Sequence, residues 1–384
     1  MKANIKNILA TVASITMAAN QFFITSPVHA QKDPALKIGS LYELSGAVAA
    51  YGQTQANALQ MAVEEINAAG GVNGQPIEVV SYDTKSEVAE ASILTTRLIE
   101  EDQVDIIIGP ATTAQMQAAI PIANGAGVPL ISPSVTNNDI LKDQDGKVYP
   151  YIYRSSWPNA FQGGGLAQFA AEKLGAKKVV VIYDNSSDYG TGLFENFKAV
   201  YSGEIIEQTI VAGESDFSAM ITNMTAQDFD AVVILSFYQT AGPIVKQMRE
   251  FGIQTPIVGS NGFGNDIIYD LAGPENMNDV YYASLFPIKE DNDFVKAYVE
   301  KFASQPDMFA ALTYDTVYLV KQAIEETGAV SRDKINQAID QLEDFSGITG
   351  DFVYDEQHNP TKNIVNIIEI QGANEVAVHE IVME

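Results

Sequence analysis

The sequence predicts an α/β protein of two similar Rossmann-like lobes, each an open parallel sheet covered by helices, joined by a multi-strand hinge. Three observations carry this. Short β-branched runs alternate with longer segments of helical apolar spacing from Leu36 onward. Most of the runs are continuously apolar, as strands buried on both faces are. The whole alternation occurs twice, in a chain of 384 residues, more than one core usually holds.

Residues 1–30 stand outside this plan. They carry Lys2 and Lys6, no acid, an apolar stretch from Ile8 to Ala19, and the small-x-small ending Val28-His29-Ala30. This is the pattern of an export signal, cleaved near Ala30. Asn20 and Gln21 interrupt the apolar stretch before it reaches the length of a membrane span. The expected mature chain has 384 − 30, or 354, residues and is soluble. It has no cysteine, so neither a leader-cysteine lipid nor a disulfide is available, and a periplasm behind a second membrane is the expected location.

In the first copy, Leu36–Ser40 reads as a strand, and Ala56, Leu59, Val63 and Ile66 mark a helix from Gln53 that Gly70-Gly71 stops. Val72-Asn73-Gly74-Gln75-Pro76 is a turn, because Asn-Gly and Gly-Gly tolerate positive φ. Ile77–Tyr82 is the next strand, followed by a helix over Ser86–Glu101 and a strand over Val104–Ile108. The same order then repeats. Strands are expected at Lys178–Tyr183, Glu204–Ile210, Asp230–Leu235 and Pro256–Gly259, with helices at Tyr189–Val200, Asp216–Ala226 and Thr240–Phe251 between them. Tyr149–Arg154 reads as the linker between copies.

From Val280 the register changes to a strand-like VYYASLF, then helices near Asp291–Ser304, Met308–Thr327 and Arg332–Leu342. The alternation of Phe352–Tyr354, Asn363–Ile370 and Glu375–Val382 suggests a terminal strand pair. The first lobe is therefore expected to hold residues 31–153 and about 285–354, and the second about 154–284 and 355–384. The hinge would lie near 152–157, 283–287 and 354–362. Several crossings that bend together leave both cores rigid.

The stretch Val104–Thr136, VDIIIGPATTAQMQAAIPIANGAGVPLISPSVT, concentrates chemistry. The strand ends at Gly109-Pro110, and Thr112 and Thr113 open an apolar-periodic helix, where free N–H groups and the positive end of the helix dipole favour an anion. Val128–Ile131 is the neighbouring strand, and Ser132-Pro133-Ser134-Val135-Thr136 leaves its carboxyl end with three hydroxyls. Open α/β sheets bind ligands in the crevice outside such strand ends. The competing reading is that these hydroxyls cap helices.

Composition excludes other functions. Lys and Arg number 22 against 49 Asp and Glu; without Lys2 and Lys6 the balance is 20 − 49, or −29. Such a surface repels nucleic acid and anionic membranes. Beyond the leader the only histidines are His358 and His379. With no thiol either, the common nucleophile, general-base and zinc constellations cannot be assembled, which argues against an enzyme and against a cofactor or metal.

The combination IGSLYELSG…YG, AVEEINAAGGVNGQPIEVVSYD, IIGPATTAQMQAA…PLISPSVT, YRSS, VVVIYDNSSDYGTG and FDAVVILSFY resembles the Leu/Ile/Val-binding family of type I periplasmic binding proteins, along nearly all of the mature chain. The resemblance implies a Venus-flytrap fold and a receptor that presents a small carboxylate, of which a branched-chain amino acid is the leading candidate, to the permease and ATPase subunits of an ABC importer, as a monomer. It also implies that Thr113, Ser134 and Thr136, with Thr112 beside them, hold the ligand carboxylate. Tyr51, Tyr189, Tyr238 and Phe309 would be the aromatic contacts.

One position departs from the pattern. Where relatives that bind α-amino acids often place an acid for the ammonium, this chain has Asn261, and a neutral amide supplies no charge-assisted bond. Either Asp184 or Glu43 takes over, or the ligand lacks an ammonium, which would favour a receptor for a 2-oxo acid, an aromatic acid or an amide. Trp157, the single tryptophan, replaces a smaller residue near the hinge and would wall the pocket or pack the hinge. A ligand-sensing module for a membrane receptor and an α/β hydrolase are the other readings, the latter disfavoured by the histidine count.

Overall fold

The computed structural model describes residues 36–287, 291–328 and 331–383, so the expected leader lies outside the described residues. The first sheet takes its strands from β1 (Leu36–Tyr42), β2 (Ile77–Asp83), β3 (Ile106–Ile108), β4 (Leu130–Ser132) and β5 (Ile152–Arg154), in the order β2-β1-β3-β4-β5 and parallel throughout. Helices α1 (Ala49–Ala68), α2 (Val88–Glu100) and α3 (Thr113–Gly125) connect them. Every residue of β3, β4 and β5 is buried, which explains why Ile106-Ile107-Ile108 carries no polar alternation. Gly109 ends β3 at φ +112°, where a Cβ would stand 2.0 Å from the Leu41 carbonyl oxygen, so only glycine fits.

Helix α4 (Asn159–Gln168) leads into the second unit: β6 (Lys178–Asp184), α5 (Asp188–Val200), β7 (Glu204–Ile210), α6 (Ser218–Thr225), β8 (Ala231–Leu235), α7 (Tyr238–Glu250), β9 (Ile257–Gly259), α8 (Ile267–Ala272) and β10 (Val280–Ser284). Its parallel strands run β7-β6-β8-β9-β10, the order of the first sheet again. The chain then leaves this sheet for α9 (Asp293–Phe302), α10 (Met308–Thr327) and α11 (Arg332–Asp340). Of these, α9 and α10 pack on α1, and α11 on α10. A small ladder, β11 (Ser346–Gly347) with β12 (Gly350–Asp351), precedes β13 (Ile364–Gln371) and β14 (Asn374–Val382), which return to the second sheet as antiparallel strands beside β10. Three passages between the sheets result.

The passages are tied to one another. The buried Arg154 guanidinium at the end of β5 donates to the Asn137 carbonyl and to Asn359 Oδ1. His358 stacks on Tyr153 with ring centroids 4.1 Å apart, and its Nδ1 lies 2.9 Å from the Ile152 carbonyl.

Some expectations need correction. Residues 152–154, expected within a linker, form the edge strand β5, because Leu130–Ser132 leaves a free edge that pairs with them. Phe352–Tyr354 makes only an isolated bridge from Tyr354 to Pro360, not a strand. Its rings instead pack together, Phe352 against Phe345 and Tyr354. Helix α4 was not expected; three consecutive glycines, Gly163 to Gly165, hide its signal, and they are there because Gly163 abuts Asn196 and Phe197, and Gly165 abuts Val365. Among the described residues no helix is long and apolar enough to cross a membrane.

Candidate functional site

The carboxyl ends of both sheets face one cavity. It is narrow, with a free volume of about 20 Å³. The turns after β3 and β4 bring Ala111, Thr112, Thr113, Ser134, Val135 and Thr136 to it; α1 brings Tyr51 and α10 brings Phe309. From the other sheet come Tyr189 on α5, Phe237 at the start of α7, and Asn261 and Gly262 after β9. None of these carries a formal charge at neutral pH.

The first wall is a set of hydroxyls at strand ends. Thr113 Oγ1 and Thr136 Oγ1 are buried and have no hydrogen-bond partner among the described residues. Buried hydroxyls are ordinarily satisfied, so two such orphans lining one cavity mark a place for a polar solute. Thr113 is also the first residue of α3, where the N–H has no intrahelical acceptor. Helix capping does not account for these residues, since α3 makes no side-chain cap bond.

Two neighbouring hydroxyls are already committed. Ser134 Oγ donates to the Ala111 carbonyl at 2.9 Å, leaving lone pairs and backbone for a ligand. Thr112 lines the cavity, but its hydroxyl donates to Glu43 Oε1 at 2.9 Å. The Glu43 carboxylate also accepts from the Ala111 and Thr112 N–H groups at 3.0 and 3.1 Å. The anion-binding capacity expected at the head of α3 is thus partly filled by the chain itself, and Thr112 is corrected from a ligand hydroxyl to a support. Burial raises the Glu43 pKa, opposed by those hydrogen bonds. Gly52 explains how Glu43 gets there: a Cβ on it would lie 2.2 Å from the Glu43 carbonyl, so α1 can sit directly on that loop.

The second wall is aromatic and internally bonded. Phe237 and Tyr189 stack at 4.6 Å, and Tyr51 meets Phe237 and Phe309 edge-on at 5.9 and 5.0 Å. Tyr189 Oη accepts from Gly262 N–H at 3.2 Å and donates to Asn261 Oδ1 at 2.6 Å; Asn261 N–H donates to Gln162 Oε1 at 2.7 Å. Burial raises the pKa of both Tyr189 and Tyr51, so both phenols stay protonated. Bonds across the cavity mouth hold the walls together: Tyr51 Oη donates to the Gly262 carbonyl, Tyr238 Oη accepts from Ala50 N–H, and Asp307 accepts from Thr54 and Asn265.

Eight of the ten residues singled out from the sequence line the cavity, Thr112 with its hydroxyl turned away. Tyr238 does not line it. It lies one layer back, its ring 4.7 Å from Tyr51, and the adjacent Phe237 takes the lining place. The chain enters α7 there with Phe237 extended (φ −80°, ψ 160°) and Tyr238 as the first helical residue, a one-residue phase that the sequence does not mark. Trp157 does not line it either. It is fully buried in the apolar cluster of Leu166, Phe169 and Phe197, so it packs the second lobe rather than walling the cavity. Of the two acids considered for an ammonium, neither lines the cavity: Glu43 is held as above, and Asp184 accepts from Ser186 N–H and Oγ. Phe237, Gly262 and Gln162 were missed. Among the described residues no cluster of three His, Cys, Asp or Glu side chains is placed to hold a metal ion.

Comparison with known proteins gives a family model described as periplasmic binding protein, which matches residues 35–374. The chain is 27% identical to a leucine-, isoleucine-, valine-, threonine- and alanine-binding protein of Pseudomonas aeruginosa, over 84% of this chain and 86% of the relative. Among solved structures, a branched-chain amino acid transporter substrate-binding protein of Streptococcus pneumoniae in complex with isoleucine is similar with a TM-score of 0.86. Identity is 39%, covering 90% of this chain and 99% of that one. A leucine-binding protein of Thermotoga maritima has a TM-score of 0.82 at 29% identity, covering 89% and 98%.

Proposed function

The chain belongs to the periplasmic binding protein family and has its type I fold, and from that premise we propose that it is the solute receptor of an ABC importer. The ligand is a small amino acid of branched-chain type, held between two lobes that close on it. The observation that carries this is the pair of buried, unpartnered hydroxyls, Thr113 Oγ1 and Thr136 Oγ1, facing a small uncharged aromatic cavity. A carboxylate accepts from both and from the N–H groups at the head of α3, while Tyr51, Phe237 and Phe309 enclose an aliphatic side chain. Relatives whose names record leucine, isoleucine and valine support that ligand class.

The receptor is exported, works in the periplasm as a monomer, and hands its solute to permease and ATPase subunits. Bonds such as Tyr51 to Gly262 form only when the lobes are shut, so a ligand that favours the shut form drives closure through its differential affinity. Calorimetric titration with leucine, isoleucine and valine tests the reading. Saturable binding at one site per chain is expected; no heat and no shift in melting temperature with any of the three would refute it.

A further inference from the structure

We propose that this cavity also accepts 2-oxo carboxylates, the deaminated counterparts of its amino acids, with affinities within tenfold of the amino acids themselves, and that Asn261 is the residue that makes it so. The inference rests on the reading of the cavity as a carboxylate receptor and adds what happens at the ligand's α-substituent.

The carboxylate end is served by the hydroxyl wall, so the α-substituent turns toward the second lobe. There the direction of the hydrogen bonds decides what the wall can offer. Tyr189 Oη already accepts from Gly262 N–H, and the Ser260 hydroxyl donates to the Ser236 carbonyl at 3.1 Å. Two acceptors compete for the single phenolic proton of Tyr189, Ser260 Oγ at 2.9 Å and Asn261 Oδ1 at 2.6 Å, and the shorter contact, to Asn261, takes it. With the amide oxygen committed, the pole that Asn261 presents to the cavity is its NH₂ group. That group is a donor only. It bonds the oxygen of a 2-oxo acid, and it offers nothing to an ammonium, which is itself a donor without acceptor capacity.

Charge points the same way. An amino acid brings an ammonium out of water into a cavity whose lining has no anion. Nearby carboxylates are engaged elsewhere: Glu43 with the head of α3, Asp184 with Ser186, and Asp307 with Thr54, Asn265 and Ala310. The ammonium is left with neutral acceptors such as Thr136 Oγ1 and exposed carbonyls, which compensate its lost hydration incompletely. A 2-oxo acid carries only the carboxylate charge that the first wall is built to receive, and its second oxygen meets the Asn261 donor. The two ligand classes thus lose and gain different contacts in one cavity, and neither is strongly preferred.

The test is calorimetric titration of the full mature chain with leucine and with 4-methyl-2-oxopentanoate, repeated on Asn261→Asp. In the parent the two dissociation constants should lie within tenfold of each other. In the variant an anion replaces the donor, so the preference for leucine over the oxo acid should rise at least tenfold. An oxo acid more than tenfold weaker than leucine on the parent, or a ratio that moves less than tenfold in a folded variant, overturns the proposal. If circular dichroism shows that the variant does not fold, the parent ratio decides alone. Leucine binding without the oxo acid defeats only this inference, whereas binding of neither, nor of isoleucine or valine, defeats the receptor reading beneath it.

Discussion

The two walls of the cavity are built from the same strand-to-helix turns, yet they leave opposite amounts of hydrogen bonding unmet. On the first wall Thr113 and Thr136 have hydroxyls without partners among the described residues. On the second, the lining residues Tyr189, Asn261 and Gly262 bond one another and Gln162 Oε1 behind them, with aromatic rings stacked over them; the unmet donor there, Gln162 Nε2, lies outside the cavity lining. The difference separates two jobs. An unmet polar wall gains the most from a ligand, because each bond it forms ends a desolvation penalty already present. A wall bonded to itself keeps its shape without the ligand and acts as a preorganised lid that excludes water and selects by shape.

The strap between the walls offers the largest effect. Asp307 caps α10 through Ala310 N–H and accepts from Thr54 on one lobe and Asn265 on the other, each at 2.8 Å. Burial pushes its carboxyl up to about 6 from 3.8, with those hydrogen bonds pulling the other way. Between these values the folded chain keeps a proton that the unfolded chain has lost, so this group stabilises the fold below about pH 4. The contribution fades as pH rises to about 6, amounting at most to about 3 kcal/mol. Asp307→Asn lacks this dependence. Urea melts of both proteins at pH 4 and pH 7 should show the parent losing stability relative to the variant at the higher pH; a pH-independent difference would show that Asp307 titrates normally.

Next comes Thr136→Ala, which removes one unmet donor from the polar wall. Affinity for leucine should fall by about 1–3 kcal/mol, the range for a hydrogen bond to a charged group, with little change in melting temperature because no protein partner is lost. An affinity equal to that of the parent would remove Thr136 from the site. On the bonded wall, Tyr189→Phe deletes the phenol that orients Asn261 and receives Gly262 N–H. Its cost should be smaller for the ligand, about 0.5–1.5 kcal/mol, and visible in the stability of the ligand-free protein as well. Should the ligand effect exceed that of Thr136→Ala, the division of labour between the walls is wrong.

The smallest effect on binding is expected from Trp157→Phe. The indole is buried with Leu166 and Phe197 and does not line the cavity, so the change should cost about 1–3 kcal/mol of stability and leave leucine affinity within error. A clear loss of affinity at unchanged stability would return Trp157 to the cavity wall.

Much of this plan was legible in residue order. Runs such as Ile106-Ile107-Ile108 and Ala231–Leu235 announce strands buried on both faces, and the hydroxyls after β3 and β4 sit where strand ends must open to solvent or ligand. What escaped depends on phase and on distant partners. Phe237 and Tyr238 are adjacent aromatics, and only the start of α7 decides which faces the cavity. The commitment of Thr112 to Glu43 joins residues 69 apart, and the pairing that turns residues 152–154 into β5 needs a sheet edge already in place. Burial of Trp157 is likewise a property of the packed second lobe.

The central claim, that the first wall holds the carboxylate and the second closes over the rest, is tested most directly by a crystal structure of the mature protein grown with leucine. The account predicts a ligand carboxylate within hydrogen-bond distance of Thr113 Oγ1 and Thr136 Oγ1, about 2.5–3.0 Å, with the side chain among Tyr51, Phe237 and Phe309. A carboxylate bonded instead to Asn261 and Tyr189, with Thr113 and Thr136 still unpartnered, would contradict it.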